Sequence, residues 1–98
     1  MATYQFAATL PVEEKYNLAS QLRRAATSIP LNIAEACGTA SKAEFARFLR
    51  FAYRSLKEVV TCLKLCQRLY PASRDRALPL IDEGNKISRM TYRLMQKV

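Results

Sequence analysis

The sequence has few of the residues on which most enzymes rely. Its 98 residues include no His and no Trp, and only two Gly, four Pro and three Cys. Because His is the most common general base and a common zinc ligand, its absence excludes Ser-His and Cys-His nucleophiles and every metal site that needs an imidazole. Glu35 and Glu44 could form a carboxylate pair, but Glu44 is spaced to cap a helix and Glu35 can pair with an Arg within the bundle. We therefore expect no enzymatic activity, no catalytic residues, no cofactor and no small-molecule substrate.

Two further scarcities bear on where the protein works. No apolar run approaches the ~20 residues that a membrane-spanning helix needs, so we expect no membrane segment. The odd number of cysteines, without a recognisable signal peptide, argues against a disulfide framework and favours a reducing cytoplasm. Cys62 and Cys66 could place two thiolates on a metal, but Cys and His in this chain cannot supply a closed four-ligand site. We expect both to be small buried apolar residues, and we expect no metal.

The scarcity of Gly and Pro leaves long stretches free to form helices. The length fits one domain, residues 1–98. Its apolar residues recur at helical spacing, which predicts an all-α fold. Residues 1–11 contain only what looks like the last turn of a longer helix. The predicted long helices cover residues 12–37, 42–70 and 78–97.

The few helix-breaking residues predict local features of these helices. Pro30 removes the hydrogen bond to the carbonyl four residues earlier and predicts a kink, with Ser28 and Asn32 as candidates to satisfy that carbonyl. Gly38 is predicted to end its helix in the left-handed conformation. Pro79 is predicted to lie in the first turn of the last helix.

Segment 42–70 has the most regular pattern. Ser41 and Glu44 are spaced as a capping box, in which each side chain accepts the backbone N–H of the other residue. The apolar seam that follows steps by four and three, which favours near-aligned packing in a bundle. Its members are Phe45, Leu49, Ala52, Leu56, Val59, Leu63, Cys66 and Tyr70.

The formal charge of +8 lies entirely in residues 42–98, since residues 1–41 are neutral. Basic residues on segment 42–70 recur with the same steps of three and four as the seam. At 100° per residue this basic row lies about 160° around the helix axis from the seam, so it faces away from the core. A solvated helix face would be the ordinary interpretation, but a line of like charges on one helix face is unfavourable by about 0.2–0.5 kcal/mol per pair. The row comprises Arg47, Arg50, Arg54, Lys57, Lys64 and Arg68.

The last predicted helix carries a second basic row, formed by Arg89, Arg93 and Lys97 with Lys86. The two rows together predict a surface matched to a phosphate backbone, which would carry affinity and not sequence readout. Tyr53 and Tyr92 are the aromatic residues nearest these rows. They could stack on bases, although packing is the use that we favour.

Three segments, QLRRAATSIPLNIAE at 21–35, EFARFL at 44–49 and SLKE at 55–58, closely resemble a known bacterial family. The family is that of four-helix-bundle proteins of the 23S rRNA intervening-sequence type, which includes the accessory variability proteins of diversity-generating retroelements. The resemblance implies an antiparallel four-helix bundle that assembles into a ring-like homopentamer with a basic surface. In retroelement members, that assembly works beside a reverse transcriptase and binds structured nucleic acid without an activity of its own.

The chain departs from the family pattern at two places. Ala36 and Thr39 stand where the family has Gly and a basic residue, and the first helix is largely missing, which leaves three long helices. Six residues match the family's polar run, where we favour hydrogen bonds and ion pairs between helices or subunits over a ligand-binding patch. They are Gln21, Arg23, Arg24, Ser28, Asn32 and Glu35.

The leading hypothesis is therefore a non-enzymatic, homo-oligomeric adaptor that binds structured RNA or DNA through its two basic rows. The alternative is a protein-interaction scaffold whose basic face docks an acidic partner.

Overall fold

A computed structural model describes residues 2–97 of the chain as four α-helices and two short 3-10 helices. Met1 and Val98, the ends of the predicted domain, lie outside the described residues. The described part contains no β-strand, so the all-α prediction is confirmed. The α-helices are α1 (Ala2–Ala8), α2 (Leu18–Gly38), α3 (Lys42–Leu69) and α4 (Arg74–Gln96).

Helix α3 lies at the centre of the packing, with α2 and α4 against it and α1 against α2. Short connections of the kind that joins antiparallel neighbours link α2 to α3 and α3 to α4. The result is an elongated body with extents of 44 × 22 × 17 Å. Among residues 2–97, no helix is both long enough and apolar enough to cross a bilayer.

The first helix is short, but its seven residues exceed the single last turn that was predicted, and it covers part of α2. Phe6, Ala7 and Leu10 are buried with the N-terminal half of α2 in one apolar core. The Tyr4 hydroxyl adds a hydrogen bond to Thr27 on α2. Beyond the reach of α1, Leu31 on α2 remains 61% exposed.

Helix α2 begins at Leu18 and not at Val12 as predicted. Residues Val12–Glu14 form a 3-10 helix, and Asn17 leaves the helical region with φ −128° and ψ −102°. The Glu14 carboxylate lies at the new helix start, where it accepts from the Leu18 N–H at 3.5 Å and from Asn17 Nδ2 at 3.1 Å. A carboxylate is favourable at the positive end of a helix dipole. Here the carboxylate belongs to a residue that precedes the helix and not to its first turn.

Glu14 also accepts a hydrogen bond from the Tyr70 hydroxyl, which joins the N-terminal segment to the end of α3. This bond is the main reason that the pKa of Glu14 lies below its ordinary value; burial opposes it, and the donors at the start of α2 add to it. The same bond, with burial and the nearby negative charge, raises the pKa of Tyr70 to about 12.

Two predictions about α2 need correction. Asn32 Nδ2 donates to the carbonyl of Ser28 at 2.8 Å, and not to the Ala26 carbonyl that Pro30 leaves without its usual donor. Gly38 is the last residue of α2 and does not have a positive φ, so it ends the helix without the left-handed cap. The chain leaves the helix at Thr39, which is extended and needs no glycine.

The start of helix α3 and the burial of its seam agree with the prediction in most respects. The Ser41 hydroxyl accepts the Glu44 N–H at 3.2 Å, which confirms half of the capping box. The other half is not formed, because the Glu44 carboxylate instead pairs with Arg47 at 3.1 Å and the Ser41 N–H bonds to Thr39. Six of the eight seam residues are buried, and Phe45 and Tyr70 at the two ends are half-buried.

Helix α4 begins at Arg74, about one turn before the predicted start, so Pro79 lies inside the helix and not in its first turn. The carbonyl that loses its donor to Pro79 belongs to Asp75, an exposed residue that water can reach. Gly84 faces α3 in the core: a Cβ placed on Gly84 would lie 2.7 Å from Val60 Cγ2.

Candidate nucleic-acid interface

The basic row of α3 lies on the solvent side of the helix, opposite the buried seam. All six of its side chains belong to exposed residues, and so does Thr61, which occupies the gap in the row. Within residues 2–97, five of the six bases have no carboxylate within ion-pair distance. Those five are Arg50, Arg54, Lys57, Lys64 and Arg68.

Arg47 differs from the rest of its row because it already has partners. Its guanidinium pairs with Glu44 at 3.1 Å, and its Cζ lies 5.1 Å from the centroid of the Phe48 ring and 5.6 Å from that of Phe51. The two rings meet edge to face at 6.1 Å. This end of the row therefore offers less free positive charge than the spacing alone predicts.

The second basic row lies on the exposed side of α4. Lys86, Arg89, Arg93 and Lys97 are all exposed, and none of them has an ion-pair partner among the described residues. The acids of α4 lie toward its other end, at Asp75, Asp82 and Glu83. The C-terminal half of α4 is therefore a surface of one sign.

The two rows come together in a cleft between α3 and α4, which we call the tyrosine cleft. Its volume is about 240 Å³, and its lining residues are Tyr53, Lys57, Ser88, Arg89, Tyr92 and Arg93. Lys57 comes from the α3 row, and Arg89 and Arg93 come from the α4 row. The remaining residues of the two rows do not line the cleft: Arg47, Arg50, Arg54, Lys64, Arg68, Lys86 and Lys97.

Two tyrosine rings connect the walls of the tyrosine cleft. The centroids of Tyr53 and Tyr92 are 5.9 Å apart with the rings tilted by 43°, and Lys57 Nζ lies 5.4 Å from the Tyr53 centroid. The predicted packing use describes Tyr53, which is half-buried, better than Tyr92, which is 48% exposed. Ser88 is almost fully buried beneath them and donates its hydroxyl to the Gly84 carbonyl at 2.8 Å.

Sequence reasoning missed both the tyrosine contact and Ser88. Each helix shows its own periodicity in the sequence, but the pairing of one helix face with another is a tertiary property. Tyr53 and Tyr92 each occupy a position beside a basic row, and that was the one available signal.

Four of the six polar-run residues on α2 make side-chain contacts within the chain. Ser28 accepts from the Ser55 hydroxyl at 2.8 Å and from Asn32 Nδ2 at 2.9 Å, so it joins α2 to α3. Gln21 Oε1 lies 3.9 Å from Cys62 Sγ, a weak contact between the same helices.

The charged members of this run behave differently from its amides and hydroxyls. Arg23 donates to the Lys15 carbonyl at 3.3 Å, in the segment before α2. The side chains of Arg24 and Glu35 are exposed and make no hydrogen bond or ion pair with any residue from 2 to 97. The six residues therefore do not form one network within the chain.

The cysteines are free thiols in two environments. Cys62 and Cys66 are buried in the core, as predicted, and Cys37 is exposed near the end of α2. Burial raises the pKa of Cys62, and burial together with neighbouring negative charge raises the pKa of Cys66 to about 11. Both core thiols are therefore protonated at neutral pH.

Comparison with known proteins gives a family match. The chain matches the sequence model of the 23S rRNA-intervening sequence protein family over residues 1–93. A search of curated proteins finds no match. Because the family match covers nearly the whole chain, the protein belongs to the 23S rRNA-intervening sequence protein family.

Proposed function

We propose that this protein binds structured RNA or DNA through its two basic rows and has no enzymatic activity of its own. The observation that carries the proposal is the unpaired charge. Five exposed bases on α3, three on α4 and Lys97 directly after α4 have no acidic partner among the described residues. Holding such charges in line opposes folding slightly, and a polyanion removes that repulsion.

The chemistry of these side chains suits a phosphate backbone better than base edges. Arg and Lys on an exposed helix face meet phosphates without requiring a defined sequence, so they supply affinity and orientation. The family's association with 23S rRNA in its name agrees with an RNA ligand. We propose that the protein acts in the cytoplasm, where its three free thiols remain reduced.

We further propose that the working form is a homo-oligomer, and by resemblance a pentamer that works beside a reverse transcriptase. Helix α2 supports this proposal because it leaves apolar surface uncovered: Leu31 is 61% exposed and Ile33 is 39% exposed. Oligomerisation would bury such surface and set basic rows of several copies side by side.

The binding proposal is tested by reversing charges on and off the rows. The row variant is Arg50→Glu/Arg54→Glu/Lys57→Glu. The matched control is Lys15→Glu/Lys42→Glu/Arg76→Glu, which changes the net charge equally at exposed positions outside the rows. We expect the row variant to lose binding to a structured RNA and to duplex DNA near physiological salt, and we expect the control to keep most of it.

Other results of that experiment would favour different functions. Equal loss in both triple variants would mean that net charge alone matters, and equal retention would overturn the proposal. Absence of binding by the wild-type protein, together with capture of an acidic protein that the row variant fails to capture, would support the alternative of a protein-interaction scaffold.

The oligomer proposal has a separate test in native mass spectrometry. Leu31→Asp should lower the subunit number because it places a charge on the uncovered face of α2. Val12→Asp, at a residue that is 82% exposed in the N-terminal segment, is the control and should leave the assembly unchanged. A wild-type protein that is monomeric at every concentration would contradict the proposal.

A further inference from the structure

We infer that the tyrosine cleft binds one unpaired nucleobase, which stacks on Tyr92 while Lys57, Arg89 and Arg93 meet the neighbouring phosphates. This inference rests on the proposed function and makes it more specific, because it names an unpaired nucleotide as the preferred ligand of the basic surface.

The first argument is the composition of the cleft. It joins two aromatic rings to three cations from different helices, and none of its lining residues within the described chain is acidic. Unpaired bases bind proteins by stacking on aromatic side chains, and cationic groups beside the rings hold the backbone. Each kind of group that such a ligand requires is therefore present at one place.

The second argument is the exposure of Tyr92. Tyr92 keeps 48% of its surface exposed although its ring lies against that of Tyr53, with the centroids 5.9 Å apart, so part of Tyr92 is open to a ligand. Lys57 Nζ, 5.4 Å from the Tyr53 centroid, already lies close to a ring of the pair. A base on the exposed part of Tyr92 would therefore lie beside the cations of both rows.

The third argument is size. At about 240 Å³ the cleft is smaller than the about 300–1,000 Å³ typical of small-molecule pockets. Its small volume therefore favours a ligand portion as small as one base over a whole cofactor. Bases in a regular duplex are already stacked and paired, so they would have to leave the helix to enter it.

The test compares two short RNA hairpins that differ only in one bulged adenosine, each closed by a polyethylene-glycol linker in place of loop nucleotides so that every other base is paired. The fully paired hairpin reports on the basic rows, and the difference between the hairpins reports on the tyrosine cleft. We expect the wild-type protein to bind the bulged hairpin more tightly by about 5- to 150-fold, the range that stacking of one base on an aromatic ring contributes.

The variants separate stacking from packing. Tyr92→Leu keeps apolar contact with Tyr53 but removes the ring, and it should abolish the preference for the bulge while binding to the paired hairpin is unchanged. Tyr92→Phe should keep the preference. Tyr16→Ala, which removes a tyrosine that is 88% exposed and also lies near a cation, should keep it as well.

Each alternative result has a distinct meaning. Equal binding of both hairpins by the wild-type protein would overturn the inference and leave the proposed function standing. Persistence of the bulge preference in Tyr92→Leu would also overturn it. If neither hairpin binds, this inference is overturned, and the proposed function fails with it only if the protein also does not bind duplex DNA.

Discussion

Gly84 lies on α4 where the helix faces Val60 on α3 with no room for a methyl group. A Cβ at this position would stand 2.7 Å from Val60 Cγ2. Val60 is buried and β-branched, and a β-branched side chain in a helix has one strongly preferred rotamer. The side chain therefore cannot rotate away, and the Gly84→Ala variant must separate the helices or strain the rotamer.

Two opposing effects determine the stability of Gly84→Ala. Ala favours the helix interior over Gly by about 1 kcal/mol. Overpacking a well-packed core costs about 1–3 kcal/mol. We therefore expect a net loss of about 0–2 kcal/mol in the free energy of unfolding.

Gly38→Ala is the matched control because no atom of residues 2–97 beyond the adjoining helix backbone lies within 4 Å of a Cβ placed there and its φ is not positive. It gains helix propensity without a steric cost, so it should be neutral or stabilising. The difference between the two variants then isolates the packing term, which we expect to be about 1–3 kcal/mol.

The assay is urea unfolding followed by helical circular dichroism, at one protein concentration because assembly shifts apparent stability. In a Val60→Ala background the clash is gone, and Gly84→Ala should become stabilising. If Gly84→Ala stabilises the wild-type protein as much as Gly38→Ala does, the close approach of α3 and α4 is wrong.

Two further predictions follow from the ionisable groups. Because the pKa of Glu14 is lowered in the folded state, its bond to Tyr70 stabilises the protein above the ordinary Glu pKa and is lost as pH falls through the lowered value. The stability difference between wild type and Tyr70→Phe in urea should therefore shrink in acid, and a difference that does not change with pH would contradict this. Tyr70 has a raised pKa of about 12, so the same bond should also be lost as pH rises from about 10 toward 12. For the thiols, iodoacetamide should modify Cys37 quickly in the native protein, while Cys62 and Cys66 react only after unfolding, because they are buried and protonated. Peptide mass analysis checks this, and fast labelling of Cys66 would refute its burial.

The sequence predicts the three long helices because their seams are local and periodic. The seam of α3 and the Ser41 cap were readable from spacing alone, and most seam positions are buried in the structure. The start of α2 was not readable, because Glu14 looks like a first-turn acid but is held by Tyr70, 56 residues away. A local pattern cannot reveal such a partner.

The same limit applies to the candidate site. The basic rows follow from helical periodicity, and every base in them is exposed as that geometry requires. Arg47 is an exception in charge, because Glu44 lies one turn earlier on α3 and pairs with it. The periodicity of the bases alone does not show this pairing. The tyrosine cleft depends on how α3 and α4 are rotated against each other, which the core packing at Val60 and Gly84 determines.

The salt dependence of nucleic-acid binding tests the central claim most directly. The slope of log K against log salt for duplex DNA reports the phosphates that the protein contacts, at about 0.9 per contact. Arg50→Gln/Arg54→Gln/Lys57→Gln should reduce this slope by up to about 2.7 per bound chain, whereas Lys15→Gln/Lys42→Gln/Arg76→Gln should leave it unchanged. A slope that is the same in the wild type and the row variant, or that falls equally in both variants, would contradict the account.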